Sequence, residues 1–124
     1  MLWKRKQILV VDDDVNILRA FKSILEKEGY SVETAETGKD ALKKIKKAMF
    51  SVYLVDVKLP DMDGTELLLK IPDSPKAVKI VVTGFSSGEV GKKAAEYGAD
   101  DFLVKPVKPE ELLATVRERL GTIK

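Results

Sequence analysis

A chain of 124 residues, 44% hydrophobic and 34% charged, has the size of one domain and apolar content enough for a core. No apolar run approaches the roughly 18 residues of a membrane span, and the "MLWKRK" start lacks the apolar stretch of a signal peptide. With no cysteine and no histidine, a disulfide framework, a thiolate or imidazole metal site and histidine acid–base chemistry are excluded, and the net charge of +2, from 22 basic and 20 acidic residues mixed along the chain, gives no case for nucleic acid.

In chain order, "WKRK" at 3–6 reads as a solvated lead-in to a first strand, "ILVV" at 8–11. Ile17, Phe21, Ile24 and Leu25 form the apolar stripe of a first helix, closed at Gly29. A second strand, "SVETA" at 31–35, leads through Gly38 to a second helix with Ala41, Leu42, Ile45 and Met49 on its apolar side. "VYLVDV" at 52–57 is a third strand. Asp61, Asp63 and Gly64 read as turn chemistry before a short helix around Glu66, Leu67, Leu68 and Lys70 that Pro72 stops. "KIVVTG" at 79–84 is a fourth strand. Val90, Ala94 and Ala95 belong to a fourth helix ending at Gly98, which Gly88 and Gly91 weaken. "DFLVKP" at 101–106 is a fifth strand, and Pro109 suits the first turn of a last helix with Leu112, Leu113, Val116 and Leu120 inward.

Strand and helix alternating five times, with near-continuous aliphatic strands, predict an α/β doubly wound parallel sheet buried on both faces. No linker, repeat or low-complexity tract divides the chain, so residues 1–124 are expected to form a single domain. Ligands of such sheets bind at the carboxyl ends of the strands. There the sequence puts Asp12, Asp13 and Asp14 after the first strand, Asp56 in the third, Thr83 and Gly84 after the fourth, and Lys105 with Pro106 after the fifth.

Three adjacent carboxylates at the end of a buried strand need a positive partner. Oxygen donors suit a hard cation, and Mg²⁺ favours one or two carboxylates together with waters and a phosphate. Without a cation, Asp12, Asp13 and Asp56 are expected to raise one another's proton affinity. With one, a carboxylate can stay ionised and attack phosphorus, giving an acyl phosphate. Lys105 and the Thr83 hydroxyl would then neutralise phosphoryl oxygens, with Gly84 keeping the approach open.

"ILVVDDD", "YLVDVKLPDMDG", "IVVTGF" and "GADDFLVKP", in this order and at these spacings, resemble the receiver domain of two-component response regulators across essentially the whole chain. The resemblance implies a flavodoxin-like sheet in the order 2-1-3-4-5. It makes Asp56 the phosphoryl acceptor, Asp13 a direct Mg²⁺ ligand, Asp12 a ligand through water and the Lys58 backbone carbonyl a further ligand, with Mn²⁺ a substitute metal. Thr83 and Lys105 would contact the phosphoryl group, the Lys105–Pro106 peptide would be cis, and Asp14 would stand outside the ligand set. Phosphorylation would draw Thr83 inward and let Phe102 move, remodelling the face of helix four, strand five and helix five. Phe102 stands where tyrosine is frequent, so packing alone would carry that part of the switch. Lys58 and Phe85 fall at positions that set the lifetime of the acyl phosphate through water access. The stretch from Gly64 to Thr83 is shorter than receivers usually have.

The same resemblance implies a sensor histidine kinase or a histidine phosphotransfer protein as donor, because the chain has no histidine of its own, and a downstream protein target. A signalling domain, monomeric or weakly dimeric on phosphorylation, is expected, with no output domain in this chain. The lack of a span or signal peptide makes the cytoplasm the default expectation, without membrane insertion, and the mixed charge gives no expectation of direct nucleic-acid contact. "ILVVDDDV" also resembles the first motif of haloacid-dehalogenase-type phosphatases, with Asp12 as nucleophile and Asp14 as its acid partner, but that reading leaves Asp56 without a role. A receiver-like fold that only docks to a partner, without accepting phosphate, is the second alternative. Eighteen of the 22 basic residues are lysine and only Gln7 and Asn16 carry side-chain amides, a bias similar to that of hyperthermophile proteins.

Overall fold

The computed structural model describes residues 6–84 and 87–121. Its elements alternate as β1 (Gln7–Val11), α1 (Val15–Lys27), β2 (Ser31–Ala35), α2 (Gly38–Lys47), β3 (Val52–Val55), α3 (Gly64–Lys70), β4 (Val78–Thr83), α4 (Gly88–Glu96), β5 (Asp101–Val104) and α5 (Pro109–Leu120). All four strand pairings are parallel and the order is β2-β1-β3-β4-β5, the predicted flavodoxin-like arrangement. None of the described helices is long and apolar enough to cross a membrane.

The aliphatic strands are continuous because both faces of the sheet are covered. Alternate residues of one strand enter different cores, as the two-residue period of a strand requires. Leu9, Val11, Tyr53, Val55 and Val81 pack with Ala41, Ile45, Leu67, Leu68 and Ala94 on the α2, α3 and α4 side. Ile8, Val10, Leu54, Ile80 and Val82 pack with Leu18, Phe21, Leu25, Leu112 and Val116 under α1 and α5. Each fully buried aliphatic side chain is worth roughly 1.5–3 kcal/mol, so the central strands anchor whatever stands at their ends.

Several local expectations change. In α1 the deepest residues are Leu18, Phe21 and Leu25, while Ile17 and Ile24 only flank them. Met49 is not part of the α2 stripe: the helix ends at Lys47, Ala48 is extended, and Met49 is 62% exposed. The 3–4 residue spacing simply ran past the point where the chain turns back toward β3. α3 begins two residues before Glu66, at Gly64, because Asp63 caps it by accepting from the Thr65 amide and hydroxyl.

Lys79 sits at a core position of β4 and is only 7% exposed. Its amine lies beneath Gly98, where an added Cβ would be 3.5 Å from Nζ. There the aliphatic stem fills the core while the cation lies near the C-terminal end of α4, the favourable end of the helix dipole.

Candidate functional site

The carboxyl edge of the sheet assembles the site through backbone bonds that continue past the strands. The Asp12 amide donates to the Ala35 carbonyl (3.0 Å), the Asp56 amide to Val11 (3.0 Å) and the Lys105 amide to Thr83 (2.9 Å). Asp12 and Asp56 therefore leave adjacent strands side by side, with Lys105 arriving across β4. The Lys105–Pro106 peptide is cis.

Lys105 Nζ lies 2.7 Å from Asp12 Oδ2 and 2.9 Å from Asp56 Oδ2. Asp12 is 2% and Asp56 6% exposed, whereas the Lys105 side chain keeps 20% of its surface in water. The remaining oxygens are also held: Asp12 Oδ1 accepts from the Asp14 amide (2.9 Å) and Asp56 Oδ1 from the Lys58 amide (3.2 Å). Thr83, at the end of β4, is fully buried, and Gly84 beside it is exposed. Phe102 is half-buried, paired in register with Val81 and packed on the α2, α3 and α4 side of the sheet. Phe85 lies outside the described residues.

Among the described residues, Asp12, Asp13 and Asp56 are the one cluster of three candidate metal-ligating side chains, each offering an oxygen within 4.8 Å of the others. Asp13 is exposed, so the cluster opens to water on one side. Three carboxylates against the single ammonium of Lys105 leave an excess of negative charge. Hard oxygen donors, a solvent-open side and surplus negative charge fit a small divalent cation. Asp14 stands apart, capping α1 by accepting from the Asn16 amide at 2.9 Å. That placement removes the acid partner the phosphatase alternative needs.

Burial raises the Asp12 carboxyl above its ordinary 3.8, outweighing the donations from Lys105 and the Asp14 amide; the charge of Asp56 adds the smallest push. Repulsion from Asp56 thus acts on Asp12 in the expected direction, with burial the larger cause. For Lys105, burial lowers the value, but hydrogen bonds from Nζ to Asp12 and Asp56 outweigh it and the net shift is upward.

A raised carboxyl value means that the folded protein holds this proton more tightly than the unfolded chain does. The resulting stability is complete below about 3.8 and is lost as pH rises through the folded value. Asp12→Asn keeps the shape without the charge. In denaturant unfolding without divalent cation, the variant should therefore gain stability relative to wild type between pH 4 and pH 7; a difference independent of pH would contradict the assignment.

Two acids expected only as turn chemistry hold the loop between β3 and α3. Asp61 accepts from the Gly38 amide (2.8 Å) and the Lys39 amide (2.9 Å) at the start of α2. Asp63, besides capping α3, pairs with Lys93 of α4 at 3.0 Å, and Lys93 also lies over the Tyr97 ring. Gly64 is required by contact: an added Cβ would lie 1.8 Å from the Asp56 carbonyl oxygen. Its amide donates to Val57 there. The "DG" pair was the available signal, but a close backbone approach is invisible without the neighbouring strand.

A sequence family described as the response regulator receiver domain matches residues 8–117. The chain belongs to that receiver family. It is 34% identical to the transcriptional regulatory protein ZraR of Klebsiella oxytoca over 122 residues, covering 98% of this chain and 28% of that protein. The receiver thus spans under a third of that curated relative. Among solved structures, a CheY-like response regulator receiver domain protein from Methanospirillum hungatei JF-1 is 47% identical with a TM-score of 0.90, over 94% of both chains. A response regulator from Burkholderia pseudomallei, solved with a phosphorylated aspartic acid, calcium ion and citrate, is 32% identical with a TM-score of 0.85, over 93% of this chain and 68% of that one. Receivers of response regulators are signalling domains, and the expected family and fold both hold.

Proposed function

We propose that Asp56 is the phosphoryl acceptor of this receiver, taking the group from a phosphohistidine on a sensor histidine kinase or a histidine phosphotransfer protein. The observation that carries this reading is the setting of the Asp56 carboxylate. It is buried at a strand end, with Lys105 Nζ 2.9 Å from one oxygen, the Lys58 amide 3.2 Å from the other, and Asp12 and Asp13 close by. A carboxylate oxygen of Asp56 attacks phosphorus in line, the phosphorus–nitrogen bond breaks, and the imidazole leaves with the electron pair. The phosphorylated aspartic acid in the Burkholderia pseudomallei regulator supports the same chemistry by kinship.

Asp13 and Asp56, with Asp12 through water and the Lys58 carbonyl, would hold Mg²⁺ or its substitute Mn²⁺. When bound, the cation supplies charge neutralisation for the phosphoryl oxygens. Lys105, freed from part of its pairing with Asp12 and Asp56, donates to one phosphoryl oxygen. The Thr83 hydroxyl donates to another. Gly84 leaves the approach open, and control of water access to the acyl phosphate falls, by the receiver resemblance, to Lys58 and to position 85 of the sequence.

Movement of Thr83 and then Phe102 would carry the signal to the face of α4, β5 and α5. Phe102 lines a cleft of about 240 Å³ with Gly91, Ala94, Ala95 and Ala99, whose small side chains leave room for a ring to shift. Added Cβ atoms at Gly88 and Gly91 would meet nothing within 4 Å, so packing does not require these glycines. Gly91, inside the helix, costs α4 about 1 kcal/mol relative to alanine, which makes this helix easier to reorganise. In this reading the chain is one cytoplasmic receiver unit, monomeric or weakly dimeric when phosphorylated. It promotes its own phosphotransfer and dephosphorylation and passes the signal to a protein target, without touching nucleic acid or entering a membrane.

Incubation with acetyl phosphate and Mg²⁺ tests this. Base-labile phosphate should appear on the wild type and be absent from Asp56→Asn. Uptake by neither protein from any donor would favour the docking-only alternative.

A further inference from the structure

The loop from Lys58 to Asp63 is held at its base by a backbone bridge between Lys58 and Asp63, made by the Gly64 amide donating to Val57 (2.6 Å) and the Leu59 amide donating to Met62 (3.3 Å). Its tip is tied to α2 by Asp61. The two oxygens of that carboxylate take two successive amides of α2, Gly38 and Lys39, at 2.8 and 2.9 Å. Met62 seats the tip further: an added Cβ at Gly38 would lie 2.1 Å from its sulfur. α2 does not depend on Asp61 for its cap, because Thr37 Oγ1 already accepts from the Asp40 amide at 3.0 Å. The bidentate contact therefore serves the loop as much as the helix.

We propose that Asp61 is a positioning residue for phosphoryl acceptance: by tying the loop tip to α2 it steadies the Lys58 backbone, whose amide orients Asp56 and whose carbonyl would hold the cation. This rests on the reading of Asp56 as acceptor. Asp61 touches neither substrate nor metal and acts through Lys58 alone. The low value of its carboxyl, set chiefly by the two donated amides, agrees with a firmly held anchor. With the anchor removed, the bonds of the bridge remain but the tip is no longer tied to α2, so the Lys58 backbone is set less tightly and the donation to Asp56 Oδ1 weakens.

The test compares Asp61→Ala, Asp61→Asn and Thr37→Ala in the full chain. Three readouts are taken: the Lys58 amide resonance without metal, the Mg²⁺ dissociation constant by calorimetry, and the rate of acetyl phosphate uptake at saturating Mg²⁺. Loss of a residue supporting a metal ligand weakens binding by 10- to 100-fold. Acting through backbone, Asp61→Ala should fall near the lower end, about tenfold, with a shifted Lys58 amide. Asp61→Asn, which keeps one acceptor, should be intermediate. Thr37→Ala removes the α2 cap and should lower the melting temperature without weakening Mg²⁺ binding. Wild-type Mg²⁺ affinity and an unshifted Lys58 amide in Asp61→Ala would overturn the proposal, as would an equal loss in Thr37→Ala, since both make Asp61 an anchor of the fold alone. If the wild type takes no phosphoryl group on Asp56, the functional reading falls while the amide shift and the Mg²⁺ affinity still decide the role of Asp61.

Discussion

Replacing Gly64 with alanine should destabilise the domain by about 3 kcal/mol and lower its melting temperature by roughly 10 °C. The added Cβ would sit 1.8 Å from the Asp56 carbonyl oxygen, 2.7 Å from the Asp56 carbonyl carbon and 2.8 Å from Val57 Cα. All three atoms are backbone, so no rotamer change relieves the clash. Either β3 or the start of α3 must move, and both carry the site. Gly38→Ala is the informative comparison, because there the close atoms are Met62 Sδ at 2.1 Å and Cγ at 2.4 Å, the end of a flexible side chain. It should cost clearly less, about 1 kcal/mol. Urea unfolding of both variants measures the contrast, and equal losses would mean that the Gly64 contact is not the constraint described above.

The second large effect concerns Lys105. Lys105→Met leaves Asp12 and Asp56, both nearly inaccessible, facing each other without their shared cation. Breaking a buried ion pair by removing one partner costs about 3–5 kcal/mol. Because Lys105 is 20% exposed and Asp13 opens the site to water, the lower end, about 3 kcal/mol, is expected at pH 7 without divalent cation. The loss should shrink as pH falls, since a proton on the Asp12 carboxyl, already held above its ordinary value, replaces the missing charge. Millimolar Mg²⁺ should also restore part of it, because a ligand that binds only the folded state stabilises it by mass action. Phosphoryl uptake should fall at least about tenfold, the equivalent of roughly one lost charge-assisted hydrogen bond to the transferring group. Urea midpoints at pH 5 and 7, with and without Mg²⁺, read the stability part. A variant as stable as wild type at pH 7 in EDTA would show that Lys105 does not neutralise the pair.

The large elements were legible because one physical cause, burial on both faces, writes long aliphatic runs into the strands. The site was legible for a related reason: strand ends are easy to locate, and the order of a doubly wound sheet brings the ends of β1, β3, β4 and β5 to one edge. Even the division among the three consecutive acids is written in the strand and the cap. Asp12 continues the strand into the buried site, Asp13 turns toward water, and Asp14 caps α1.

What escaped the sequence depends on contacts between segments distant along the chain. Asp61 meets Gly38 across 23 positions and Asp63 meets Lys93 across 30, and no local pattern encodes either. Gly64 looked like a turn glycine, yet its necessity comes from the Asp56 carbonyl pressed against it. Met49 failed in the other direction, keeping the helical spacing after the helix had ended. Lys79, within the fourth strand, is buried with its amine close to Gly98 after α4, and the strand pattern alone carries no sign of that neighbour.

The central claim is that Asp56, rather than Asp12 or Asp13 beside it, receives the phosphoryl group. Borohydride reduction after treatment with acetyl phosphate and Mg²⁺, followed by peptide mass spectrometry, converts an acyl phosphate to an alcohol and marks its position. Homoserine at position 56 alone is the expected result. A mark at position 12 or 13, or none on protein that has bound Mg²⁺, would contradict the account.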